Sequence, residues 1–136
     1  MSKVLDIRDL TIHFETSDGI VRAVNGLTLS MDKGETLGVV GETGAGKTTL
    51  AKAIMRLQRN QSQAVKSGKI YYNGQDLLEL SEPEMRNVRG KQISMIFQDP
   101  MTSLNPVITV ELQIAEVVEA HQKVSREEAV KLARDM

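Results

Sequence analysis

The sequence predicts an α/β domain preceded by an antiparallel β segment, and three observations carry that prediction. The first third alternates apolar and polar residues with a period of two. A short apolar run without alternation, Thr36-Leu37-Gly38-Val39-Val40, comes next, as expected of a strand buried on both faces of a parallel sheet. A glycine-rich loop then leads at once into a stretch with helical spacing.

The elements follow in order. Leu5 and Ile7, then Leu10, Ile12 and Phe14, mark a strand; Asp18-Gly19 is a turn signal; Leu27, Leu29 and Met31 resume the alternation, giving a hairpin or small antiparallel sheet. Asp32-Lys33-Gly34 is a second turn. After the loop at 41–49, Leu50, Ile54 and Leu57 lie at i, i+4 and i+7, which predicts an amphipathic helix of about three turns. Gln58 to Ser67 reads as a loop, Lys69 to Tyr72 as a strand, and Asn73-Gly74 as a tight turn. Ser81 with Glu84 has the capping-box form, so a short helix starts there and stops near Gly90. Ile93, Met95 and Phe97 alternate through a further strand ending at Gln98-Asp99-Pro100, where proline interrupts the ladder. Val110, Ile114, Val117 and Val118 give another helix, and Ser125 with Glu128 caps a last one.

Composition narrows the classes. The chain has 136 residues, 40% hydrophobic and 26% charged, the length and mix of one globular domain. Seventeen Lys and Arg against 18 Asp and Glu leave no field to recruit nucleic acid or an anionic membrane non-specifically. There is no cysteine, so disulfides, thiolate zinc sites and cysteine-held iron–sulfur clusters are excluded within these residues. The opening MSKVLDIRDL lacks the apolar stretch of a signal peptide, and no run approaches a membrane span.

The glycine loop carries the chemistry. Gly41-Glu42-Thr43-Gly44-Ala45-Gly46-Lys47-Thr48 fits G-x-x-x-x-G-K-[ST], the phosphate-binding loop. Glycines let successive N–H groups converge on a phosphate, and the helix that follows adds its partial positive end. Gly41, Gly44, Ala45, Gly46, Lys47, Thr48 and Thr49 are therefore the candidate ATP ligands. Lys47 reaches the β- and γ-phosphates, and the Thr48 hydroxyl can ligate Mg²⁺ beside them. Strand, loop and helix in this order are the context the motif requires.

Elsewhere the residues argue for packing or solvent. His13 and His121 have no partners at ligand spacing. Glu82, Glu84, Arg86, Arg89 and Lys91 read as a solvated face, and Met95 and Met101 as packing. No Ser-His-Asp arrangement can be drawn.

Ile96 to Pro106, IFQDPMTSLNP, resembles the Q-loop of ATP-binding subunits of ABC transporters, in the wording of the dipeptide, oligopeptide and nickel importer branch. The resemblance extends over AVNGLTL, GETLGVVGETGAGKTT, IYYNGQDLLELSE and RGKQISMIFQDPMTSLNP, essentially the whole chain. It implies a P-loop NTPase fold of the ABC ATPase kind with an N-terminal antiparallel β subdomain. Residues 1–136 are then the N-terminal part of one nucleotide-binding domain, incomplete at its C-terminus, with the phosphate loop at 41–49 and the Q-loop region at 96–106. It further implies that Gln98 contacts Mg²⁺ and the attacking water, joining Lys47 as a catalytic residue. Physically, a neutral amide at a strand end can ligate a hard cation and swing with its loop. Phe14 falls where the family places an aromatic on adenine; its residue type leaves that role and core packing both open.

By the same resemblance the partners are ATP, a second ATP-binding subunit head to tail, transmembrane permease subunits and an extracytoplasmic substrate-binding protein, with no nucleic acid. The place of work is the cytoplasmic face of the membrane. The family's LSGGQ-type signature, Walker B aspartate with its adjacent glutamate, and switch histidine do not occur before Met136, so the chain carries a half-site for a hydrolase whose turnover needs more. A non-catalytic nucleotide-binding or assembly module, and an ABC-type ATPase outside transport, are the alternatives.

Overall fold

A computed structural model describes residues 3–57, 63–99 and 104–136. The chain divides into two units, residues 1–81 and 82–136.

The first unit is an antiparallel sheet with one helix. Strands β1 (Lys3–Thr16) and β2 (Gly19–Asp32) form the expected hairpin, with Thr16 opposite Gly19 and Phe14 opposite Val21. The Thr16 hydroxyl donates to the Gly19 carbonyl at 2.8 Å across the turn. Strand β3 (Gln63–Tyr72) pairs with the other edge of β1, and the two-residue β4 (Gln75–Asp76) closes the order β2-β1-β3-β4. Asn73 and Gly74 both have positive φ, 48° and 83°, as a type I′ turn demands.

One irregularity decides which side chains reach the core. Ile7 and Leu10 are both fully buried although three residues apart, an odd step that strict alternation forbids. Asp9, at φ 47°, absorbs the extra residue, and the register shifts between Ile7 and Leu10 against β2 and between Arg8 and Thr11 against β3. The Thr28 hydroxyl accepts the Asp9 amide at 2.9 Å, and the Thr11 hydroxyl accepts that of Gly26 at 3.1 Å, so the bulge leaves neither amide orphaned. Ile7, Leu10, Ile12, Ile70 and Leu77 then form a core with no solvent exposure.

Asp6 projects to the opposite face, where it is 8% exposed and ion-paired with Arg8 at 2.6 Å and Lys3 at 3.5 Å. The Arg8 guanidinium lies 4.9 Å from the Tyr71 ring centre. Its bond to Asp6 holds that carboxyl below the ordinary carboxylate value, against the opposing effect of desolvation.

Helix α1 (Lys47–Ile54) is shorter than the spacing predicts. It stops because Arg56 takes the left-handed conformation, φ 49°, which leaves Leu57 outside the helix. The Arg56 guanidinium donates to the carbonyls of Leu77 at 3.1 Å and Leu80 at 2.5 Å, tying the helix end to the segment beyond β4.

The second unit is helical. Helix α2 (Glu82–Val88) follows Ser81, and Gly90 at φ 79° ends that region. Helices α3 (Val110–His121) and α4 (Arg126–Asp135) pack as a hairpin around Ala115, Val118, Ala129 and Ala133. Thr109 caps α3 by accepting the Leu112 amide, and Ser125 caps α4 by accepting the Glu128 amide. Arg126 pairs with Glu119 at one end of the hairpin and Arg134 with Glu111 at the other.

Two expected strands are absent. Residues 36–40 and 94–97 carry no strand assignment, and Ile93 makes only an isolated parallel bridge with Arg89. Val40 is 94% exposed and Ile96 95%. Apolar content made these segments read as buried strands, but a strand exists only through a neighbour to pair with, and neither has a ladder here. The loop expected over 58–67 is corrected in part: 63–67 belong to β3, and 58–62 lie outside the described residues.

Candidate functional site

The loop at 41–49 is built between the exposed run 35–40 and α1. Its glycines set the path: Gly44 and Gly46 have φ of 84° and 87°, values an L-residue adopts at a cost. Gly46 is the N-cap of α1 and offers no side-chain cap, so the open end of the helix meets only backbone and solvent. The first helical bond runs from the Leu50 amide to the Gly46 carbonyl at 2.8 Å. The amides of Lys47, Thr48 and Thr49 precede it, which by helix geometry leaves them without intrahelical acceptors.

Close packing adds a second demand at Gly46. A Cβ placed there would overlap the Ala23 carbonyl oxygen on β2. The loop is thus pressed against the sheet at one point while Gly41 to Ala45 stay exposed. A hollow of about 300 Å³, lined by Ala23, Val39, Ala45, Gly46 and Lys47 among others, lies where the loop approaches β2.

Lys47 folds back over the loop. Its Nζ donates to the Gly41 carbonyl at 2.6 Å and the Glu42 carbonyl at 2.7 Å, and the Ala45 amide donates to the Glu42 carbonyl at 3.1 Å. The ammonium has three protons, so one more is available to an anion while two hold the curve closed. The predicted loop residues are therefore brought together as a curved, glycine-shaped, cation-bearing segment, with the Ala45 amide committed to the turn. The Thr48 hydroxyl is exposed on the first turn of α1, and Thr49 is half-buried behind it.

Thr48 and Gln98 offer hard neutral oxygen donors. Among the described residues no group of three His, Cys, Asp or Glu could hold a metal ion. Such a sparse set fits a cation that keeps several waters and takes phosphate oxygens, which is the habit of Mg²⁺. Gln98 lies in the second unit, exposed, beyond the isolated bridge at Ile93. Phe14 is half-buried on β1 between Val21 of β2 and Gln63 of β3.

Two residues with clear structural work had no signal in the sequence. Arg56 and Gln113 both act on backbone carbonyls, and carbonyls have no residue type to be recognised by. An αL position at Arg56 would have been visible only had it been glycine.

The profile of the ABC transporter family matches residues 24–135. The chain is 49% identical over all its 136 residues to the oligopeptide transport ATP-binding protein OppD of Bacillus subtilis, covering 38% of that protein. It is 50% identical over 133 residues, 98% of this chain and 40% of the relative, to a probable peptide ABC transporter ATP-binding protein of Sinorhizobium fredii. The chain thus spans well under half the length of these relatives. Among solved structures, the dimeric bacterial ABC transporter cassette MJ0796 superposes with a TM-score of 0.79 at 22% identity, covering 96% of this chain and 54% of that one. A post-hydrolysis form of the same cassette, bound to ADP and Pi, gives 0.77 at 21% identity over the same shares. At those identities the likeness establishes the fold: the ABC ATPase fold, present in part. Among the described residues no helix is long and apolar enough to cross a membrane.

Proposed function

The chain belongs to the ABC transporter family, and from that premise we propose that it binds Mg-ATP as part of the ATP-binding subunit of a peptide importer. The observation that carries the reading is the loop at Gly41 to Thr48: two left-handed glycines, an open helix end and a lysine held 2.6 Å from the Gly41 carbonyl. These are the parts a polyphosphate needs, namely amides without acceptors, a cation with a spare proton, and no side chains in the way.

In this reading the amides at the start of α1 bind the phosphate oxygens, and Lys47 transfers its spare proton contact to them as a point charge. Thr48 and Gln98 hold the magnesium ion, and Gln98 also orients the attacking water. When bound, the ion bridges β- and γ-phosphate oxygens and neutralises their charge. Phe14, with Val21 beside it, offers the adenine an apolar surface. Peptide import is supported by the printed names of the relatives at 49% and 50% identity. A second ATP-binding subunit, permease subunits and a substrate-binding protein complete the proposed system, with this subunit peripheral on the cytoplasmic face. Hydrolysis belongs to the whole subunit, of which residues 1–136 form the N-terminal part of one nucleotide-binding domain.

The test is a calorimetric titration with Mg-ATP of the protein carrying this chain and of its Lys47→Ala variant. The reading expects micromolar-range binding that falls at least tenfold in the variant; an affinity untouched by the substitution removes the loop from its role.

A further inference from the structure

Gln113 sits one turn into α3 and spends its whole carboxamide on the backbone that precedes the helix. Its Oε1 accepts the Asn105 amide at 2.8 Å, and its Nε2 donates to the Asn105 carbonyl at 3.0 Å and the Ile108 carbonyl at 2.9 Å. The amide's orientation follows from its partners, because a flipped group would set NH₂ against N–H and oxygen against two carbonyls. Asn105 is therefore held through both its N–H and its C=O, as a strand residue is held by a neighbour. Its own side chain closes the turn by accepting the Val107 amide at 3.1 Å, and the Ile108 amide reaches the Asn105 carbonyl at 3.3 Å.

We propose that Gln113 is a positioning residue that ties the segment carrying Gln98 to the α3–α4 hairpin, so that a displacement of Gln98 is passed to the helices. The role in nucleotide response rests on the assignment of Gln98 above. Three bonds from one half-buried side chain fix the far end of that segment onto α3. Pro100 and Pro106, flanking the intervening stretch and its anchor, each lock one φ angle and so reduce the slack available to absorb a movement. The hairpin is in turn a stiff receiver, closed by a small-residue core and by ion pairs at both ends.

Gln113→Met removes all three bonds while keeping length and helix propensity. Amide hydrogen exchange on the protein carrying this chain is the first readout. Losing these bonds should speed exchange at Asn105 about tenfold and raise it over 96–99, with α3 and α4 amides unchanged. Unchanged exchange at Asn105, or a loss spread evenly through α3, overturns the proposal. The second readout is the ratio of ATP affinity with Mg²⁺ to that with EDTA. Gln98→Ala and Gln113→Met should each lower it, and the double variant no further; a ratio lowered by Gln98→Ala alone overturns the coupling. Should the unsubstituted protein bind no ATP, the nucleotide reading falls, and exchange at 96–99 and Asn105 decides for or against the tether by itself.

Discussion

Gly46 rests against the carbonyl oxygen of Ala23, with no room for a Cβ between them, and does so at a φ of 87°. Gly44 shares the left-handed backbone, φ 84°, but a Cβ there would meet nothing within 4 Å. The pair separates conformational strain from contact. Gly44→Ala should cost about 1 kcal/mol, the left-handed penalty alone. Gly46→Ala should cost that plus the overlap, about 3 kcal/mol, and should abolish Mg-ATP binding by lifting the loop from β2. Denaturant midpoints of the two variants check this, and equal losses would show that the Ala23 contact carries no weight.

Arg56 combines an unfavourable backbone with favourable bonds. Arg56→Ala keeps the left-handed strain and deletes the contacts to the Leu77 and Leu80 carbonyls, so a loss of about 2 kcal/mol is expected. Arg56→Gly deletes the same contacts yet relieves the strain, and should recover about 1 kcal/mol of that loss. Urea unfolding of both variants measures the difference; glycine no better than alanine would show that the αL backbone imposes no cost.

Asp6 sets an acid limit on the sheet. Its folded carboxyl titrates below the ordinary value of 3.8, chiefly through its bond to Arg8. The stabilisation from the ionised pair is therefore complete above pH 3.8 and is lost as the pH falls through the lowered folded value. Asp6→Asn should be less stable than the parent at neutral pH, with the gap closing on acidification. Urea midpoints taken from pH 7 down to about 2.5 report this; a gap that holds constant to the lowest pH would assign the loss to something other than this charge.

Much of the fold is readable where the determinants are local. The Asp18-Gly19 and Asn73-Gly74 turns, the Ser125 cap and the phosphate loop depend on residues within a few positions of each other, and each stands where its residue types put it. The three-residue step from Ile7 to Leu10 was an overlooked signal for the bulge at Asp9. What failed depends on distant partners. Leu37–Val40 and Ile93–Phe97 have strand composition without ladders, whereas polar Gln63 to Ser67 form a strand because β1 offers its backbone edge whatever the side chains. The tether at Gln113 was invisible for the same reason, since all its acceptors and donors are main-chain groups.

The bare residues Val40 and Ile96 bear on how this polypeptide behaves in a tube. With a formal net charge of −1, copies approach one another with almost no long-range repulsion, and extended oily segments are what they then present. Clustering should accordingly grow with concentration and be hastened by sulfate, which sharpens the exclusion of apolar groups from water. Dilute, sulfate-free solutions are the physical setting in which single molecules persist.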